Sequence, residues 1–459
     1  MRLKKIIATA VITAMTATMI GCGSQAADTG AAPAAADDGG TVAESAGDTS
    51  DADASSAGGG EAITLKVFSN LPDRKNGQGL VEQTVIDNYM AENPNVNIEV
   101  EALDEEAYKT KFKAYSMDGM PDVVSIWGQP SFLDEVLDAG VLAELNESDY
   151  ADYGFLAGSL EGFKKDGKLY GLPRNTDVAV FYYNAKMFEE NGWKVPETYD
   201  DLLTLAGDIK SAGIIPCAMD GGDGWPLAVY LTDILFKLTN EKYADTATLA
   251  IESADFKDAN IVKAVDLLRQ SVDAGLFQNG YDSQDYGTAQ NLFTNGQSAM
   301  YYMGSWDSSM ALNEDIAEDI RTNIRVFTMP VIDGGAAKAT DITAWNGGGY
   351  AVSASSEHLD EARKFLNYLY LPENLSKIGW ENGVGMSAQD ENDFMTGNET
   401  EVQKQLIEII GNATNVSGTT INDRGNAAFK TSIESQIQSV SNGSTTVDEF
   451  LSTIAEACE

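Results

Sequence analysis

An α/β body is predicted for most of this chain, and three observations predict it. Strand-like alternation and helical periodicity succeed one another from Ile63 onward. The run Asp122 to Trp127, DVVSIW, is short and almost continuously apolar, as suits a parallel strand buried on both faces. Helix starts are marked by capping boxes, with Thr198 three residues before Asp201 and Thr446 three before Glu449.

The elements follow in order. Ile63, Leu65 and Val67 alternate with polar residues and read as a strand. Gly79 to Ala91 reads as a helix, Val96 to Val100 as a second strand, and Glu105 to Ser116 as a second helix. After DVVSIW, Ser131 to Ala139 forms a helix stopped by Gly140. A long extended run, Tyr170 to Asn184, leads into a helix from Lys186 to Asn191, and the first capping box opens Tyr199 to Ser211. Helices are expected at Ala228 to Leu238, Ala259 to Ala274 and Tyr286 to Asn295, and extended segments at Ser298 to Gly304, Arg325 to Met329 and Gly347 to Ser353. The alternation implies a mostly parallel sheet.

Composition excludes several functions. The chain has 459 residues and a formal charge of −41. Nucleic-acid binding is excluded, because phosphate contacts need clustered Lys and Arg. The single histidine, His358, rules out a two-His metal site, and no Cys/His cluster exists, so no cofactor or metal is expected. His358 opens a helix whose apolar positions are Leu359, Ala362, Phe365, Leu366 and Leu369, which makes it a solvated residue. The run Gly162 to Leu169, GFKKDGKL, has phosphate-loop spacing, but Leu169 stands where a Ser or Thr should hold magnesium. A surface hairpin explains it better.

The N-terminus carries its own signal. Arg2, Lys4 and Lys5 precede an apolar stretch from Ile6 to Ile20, then Gly21-Cys22. This resembles a bacterial lipoprotein signal, with Met19-Ile20 departing from the usual Leu-Ala/Ser. It implies a signal over residues 1–21, cut before Cys22, with Cys22 carrying lipid. Residues 22–62 hold no Lys, Arg or aromatic residue and should form a disordered acidic tether of roughly 35 Å r.m.s. reach. Cys217 and Cys458 remain, either paired or as isolated thiols.

Blocks along the body resemble one family. GMPDVVSIW (119–127) with AGVLAEL after it, GKLYGLPRNTDVAVFYYNAKMFEENGWKVPETYDDL (167–202), FTNGQSAMYYMGSW (293–306) and GGGYAVSASSEHLDEARKFLNYLYLPEN (347–374) are similar, in this order, to the sugar-binding, maltose-binding-protein-like solute-binding proteins of ABC importers. The resemblance implies a two-lobed, type II periplasmic-binding-protein fold with ligand between the lobes. The first lobe would comprise 62–175 and 305–346, the second 176–304 and 347–459, with hinge crossings near Thr176, Met303 and Asn346. It implies a monomer, lipid-anchored outside the cytoplasmic membrane, that binds a neutral sugar or oligosaccharide and hands it to permease subunits.

Sugars present apolar C–H faces and polar edges, so a site needs aromatic platforms and short polar side chains. Trp127, Trp225, Trp306 and Trp345 are the candidate platforms, whereas Trp193 and Trp380 read as packing residues. Asn70, Asp73 and Arg74 lie in the loop after the first strand, where the strand ends of an α/β sheet face a ligand. Asp177 lies in the first crossing. Gln129, Asp223, Asp307, Asp341, Asn346 and Arg424 complete the candidates. Other readings are an exported carbohydrate-active enzyme using paired carboxylates, a surface adhesin, and a receptor for a non-sugar solute such as a peptide or polyol.

Overall fold

The computed structural model describes residues 62–240 and 259–457. The expected signal, Cys22, nearly all of the tether, and Cys458 lie outside the described residues. The body is built on two five-stranded sheets. In the first, Val96–Ala102, Ile63–Ser69 and Val123–Trp127 run parallel, and Gly348–Val352 and Leu172–Pro173 follow antiparallel. In the second, Thr176–Asn184 lies between Ile324–Phe327 and Ser298–Gly304, antiparallel to both. Ile215–Ala218 extends the sheet in parallel from Ser298–Gly304, and Ala344–Asn346 pairs with the start of Thr176–Asn184. The expectation of a mostly parallel sheet therefore holds for the first three strands only. Gly348–Val352 arrives by a chain crossing from the other sheet and runs against them, whereas Leu172–Pro173 precedes the first crossing and is antiparallel only to Gly348–Val352.

Each sheet has its own core. Leu65, Phe68, Val85, Ile126, Leu172, Tyr350, Phe365 and Leu369 pack around the first. Phe181, Leu202, Tyr230, Ile234, Leu268, Tyr302, Phe429 and Ile454 pack around the second. The two capping boxes are present, with Asp201 N donating to Thr198 Oγ1 at 3.1 Å and Thr198 N to Asp201 Oδ2 at 3.0 Å. Such a cap contributes about 1 kcal/mol. A third capping box, Thr400 with Gln403, starts the helix Glu401–Gly411. The run Gly162 to Leu169 forms the expected hairpin, Lys164–Lys165 against Lys168–Leu169. His358 is the N-cap of Leu359–Leu369. Cys217 is a buried free thiol.

Strand pairing corrects the allocation of segments to lobes. Gly348–Val352, expected in the second lobe, belongs to the first sheet, where Gly348 stands opposite Trp127 and Val352 opposite Val123. Ile324–Phe327, expected in the first lobe, belongs to the second sheet. The chain changes sheet within two residues, because Asn346 still pairs with Thr176 while Gly348 already pairs with Trp127. No crossing occurs near Met303, which is inside a strand paired on both sides. Another crossing comes later, between Leu375 in the first core and Val402 beside the second sheet. There Thr176 N donates to Met386 O at 2.8 Å, and Ala388 N to Arg174 O at 3.2 Å.

Candidate functional site

A cavity of about 1090 Å³ opens between the two sheets, lined from both sides. Its second-lobe wall is aromatic. Trp225 and Trp306 have ring centroids 5.8 Å apart, and Trp306 and Trp345 have theirs 6.1 Å apart, so three indoles form one series. Trp225 and Trp306 are half-buried, whereas Trp345 is only 9 % exposed. Local backbone sets these rings. Gly224, at φ +77°, lies against the backbone of Glu434, and Trp225 with Pro226 begins the helix Trp225–Thr239. Gly304 lets the Trp306 ring lie on the backbone, since a Cβ there would stand 1.9 Å from the ring.

The first-lobe wall carries one indole. Trp127 ends the strand Val123–Trp127 and is half-buried. Tyr108 and Phe132 back it edge-on, with centroids at 5.7 and 5.1 Å. The Lys109 ammonium stands 5.7 Å from its ring centroid. Trp193 and Trp380 lie off the cavity as packing residues: Trp193 meets Phe188 edge-on and Trp380 is buried.

The polar candidates divide. Asn70, Asp73, Gln129, Asp177, Asp223 and Asp307 line the cavity with the four tryptophans. Arg74, Asp341, Asn346 and Arg424 are not among its lining residues. Arg74 is turned to Glu82, at 2.8 Å, and to Gln83. Asp341 is buried elsewhere, accepting from Lys338 N at 2.7 Å and Thr414 Oγ1 at 2.5 Å, and fastens its loop to Asn415–Val416. Asn346 links the lobes instead: its carbonyl accepts from Gln129 Nε2 at 3.0 Å, and its Nδ2 donates to Ser159 O at 3.1 Å. Beside Arg424, it is Asn422 and Asp423 that reach the cavity.

Several lining carboxylates are already engaged. Asp73 accepts from Lys75 N and Asn76 N at 2.9 and 3.2 Å, shaping its own loop. Asp307 accepts hydroxyl protons from Tyr286 and, at 3.0 Å, Tyr301. Burial pushes its pKa up to about 6 against those bonds. Asp177 is 6 % exposed and accepts from Asn175 Nδ2. Burial raises its pKa to about 7, and Arg174 only partly offsets this. A Cβ on Gly347 would lie 2.3 Å from Asp177 Oδ2, so a glycine is required opposite that carboxylate. Burial also raises Asp223, and raises Asp220 behind it to about 9 with help from the Asp223 charge. Among the described residues, no group of three or more His, Cys, Asp or Glu is placed to hold a metal ion.

The lining also includes residues that sequence reading missed: Lys109, Arg174, Asn175, Tyr286, Lys430 and Glu434. Lys109, Lys430 and Glu434 sit within helices, where a charged residue reads as solvated face. Only Arg174 and Asn175 gave a signal, through their place in the extended run before Asp177.

Two sheets joined by short crossings, with an aromatic cavity between them, define a two-lobed solute receptor. The chain belongs to the family of bacterial extracellular solute-binding proteins, whose model matches residues 72–375. These are binding proteins of the extracytoplasmic space. The chain is 26% identical over 313 residues to the multiple sugar-binding protein of Streptococcus mutans, covering 67% of this chain and 71% of that one. A solved structure from work on xylan utilization by Caldanaerobius polysaccharolyticus superposes with a TM-score of 0.78 at 25% identity, covering 86% of this chain and 99% of that chain. A chitin oligosaccharide binding protein shares the fold, with a TM-score of 0.75 at 21% identity over 87% of this chain and 98% of its own.

Proposed function

We propose that the protein captures an uncharged oligosaccharide between its lobes and delivers it, unaltered, to the permease of an ABC importer. The observation that carries this reading is the series Trp225, Trp306 and Trp345 facing the cavity that Trp127 enters from the other side. Indole faces match the C–H faces of pyranose rings, and a series of them suits more than one ring. The sugar-binding relatives support the same class of ligand. Asn70, Gln129, Asp177 and Asp223 supply hydrogen bonds to hydroxyls. Asp307 orients the wall by holding two tyrosine hydroxyls.

An uncharged ligand fits the electrostatics. Lys430 is paired with Asp423 and Glu434, Lys109 with Glu105 and Glu106, and Arg174 lies over the Tyr350 ring. The crossings at 174–176, 346–348 and 386–388 serve as the hinge, and the ligand favours the closed state by its higher affinity for it. A micromolar ligand has about 8 kcal/mol available for this. Cys22 carries the lipid, residues 23–62 tether the body to the membrane, and the protein works as a monomer. No residue acts as a catalyst.

Thermal-shift screening against neutral and acidic oligosaccharides tests the reading, because a ligand selective for the folded state raises the melting point. A neutral oligosaccharide should raise it, whereas uronic-acid oligomers should not. Release of smaller sugars during incubation would instead favour the carbohydrate-active enzyme. Stabilisation by peptides or polyols alone would change the cargo.

A further inference from the structure

At the cavity rim, two helices distant in sequence meet. Pro130–Asp138 comes from the first lobe and Ala427–Ser441 from the second. Ser131 is 4 % exposed, and its Oγ donates to Asp423 Oδ1 at 2.7 Å. Asp423 also accepts from Lys430 Nζ at 2.5 Å. Lys430 reaches Glu434 at 2.9 Å, and Glu434 accepts from Asn422 Nδ2 at 2.7 Å. On the facing lobe, Lys109 is held by Glu105 at 2.7 Å and Glu106 at 2.8 Å. Burial works against the Lys109 ammonium, but the Glu105 and Glu106 charges, joined by that of Glu434 across the cavity, outweigh it.

We propose that Ser131 and Lys109 of the first lobe, with Asp423, Lys430 and Glu434 of the second, form a clasp that favours lobe closure before any ligand arrives. The Ser131 bond exists only when the lobes meet, and its acceptor is charged and partly desolvated. Such a bond shifts an equilibrium by about tenfold. Lys109 has a different part. Without it, Glu105 and Glu106 would face Asp423 and Glu434 with Lys430 as the cation between them. The contact would turn from attractive to repulsive. The clasp rests on the proposed receptor reading only for its effect on ligand affinity; the closed fraction is a property of the empty protein.

Small-angle X-ray scattering of the ligand-free protein tests the proposal. Wild type should contain a closed population. Ser131→Ala should lower the closed-to-open ratio about tenfold, seen as a larger radius of gyration. Lys109→Gln should open the lobes further, and about 0.5 M salt should partly reclose that variant by screening the carboxylates. Salt should not reclose Ser131→Ala, and Lys109→Arg should scatter like wild type. Circular dichroism confirms the fold of each variant, and Ser131→Ala decides alone if Lys109→Gln does not fold. Identical scattering from wild type, Ser131→Ala and Lys109→Gln, or a wild type as open as its variants, overturns the clasp. A wild type that binds no oligosaccharide yet shows these scattering differences overturns the receptor reading and leaves the clasp standing.

Discussion

The two walls of the cavity are built on different plans. The second-lobe wall carries three indoles in series, with Trp306 between the other two, seated by Gly224 and Gly304 and backed by a core that includes Tyr230, Tyr302 and Phe429. The first-lobe wall is one indole at a strand end, a loop from Asn70 to Asn76, and helix surface bearing Lys109 and Glu105. The contrast teaches a division of labour. A rigid aromatic wall can hold a ligand by itself, because its shape needs no reorganisation. A wall of loops and charges adds contacts chiefly when it is brought across.

Removing a second-lobe indole should therefore have the largest effect. Trp306→Ala breaks the series at its centre and should weaken oligosaccharide binding about 30-fold or more, from roughly 2–3 kcal/mol of lost stacking and burial. Calorimetric titration measures it. Trp127→Ala should weaken binding only about tenfold, mostly through faster dissociation, which stopped-flow fluorescence resolves. Equal losses at the two positions would dissolve the contrast.

The buried carboxylates sharpen it through pH. Asp177 and Asp307 titrate near 7 and 6 in the folded protein, raised by burial from the ordinary 3.8. Across pH 4 to 7 these two carboxyls hold more protons in the folded chain than in the unfolded one, so their contribution to stability falls as pH rises. The penalty is absent below about pH 4 and fully developed above about pH 7. Thermal melts should show a higher melting point at pH 5 than at pH 8. Asp177→Asn should flatten that dependence by on the order of 1 kcal/mol. The smallest effect on binding belongs to Asp341→Asn. It should leave oligosaccharide affinity within about twofold while lowering stability by about 1–2 kcal/mol, because the carboxylate holds Lys338 N and Thr414 together away from the cavity.

Local pattern made much of this legible. Trp127 is legible from its place at the end of DVVSIW, and Trp225 from the glycines of GGDGWPL (221–227) that place it at a helix start. Both arguments concern a few consecutive residues. Segment membership was not legible. Nothing within Gly348–Val352 says that it pairs with Val123–Trp127 rather than continuing the sheet it has just left. Asp341 and Asp423 show the same limit at single positions. Both are acidic residues near apolar runs, yet one fastens a loop and the other meets Ser131 from 292 positions away. Register and long-range charge pairing are set by tertiary packing, which no local period encodes.

The aromatic wall is expected to hold an uncharged oligosaccharide without changing it. Calorimetric titration of wild type with a panel of neutral oligosaccharides, followed by chromatography of the recovered sugar, tests it most directly. Saturable binding of at least one of them is expected, with dissociation constants of about micromolar or below and intact sugar recovered. Binding of none, or recovery of shortened sugar, would contradict it.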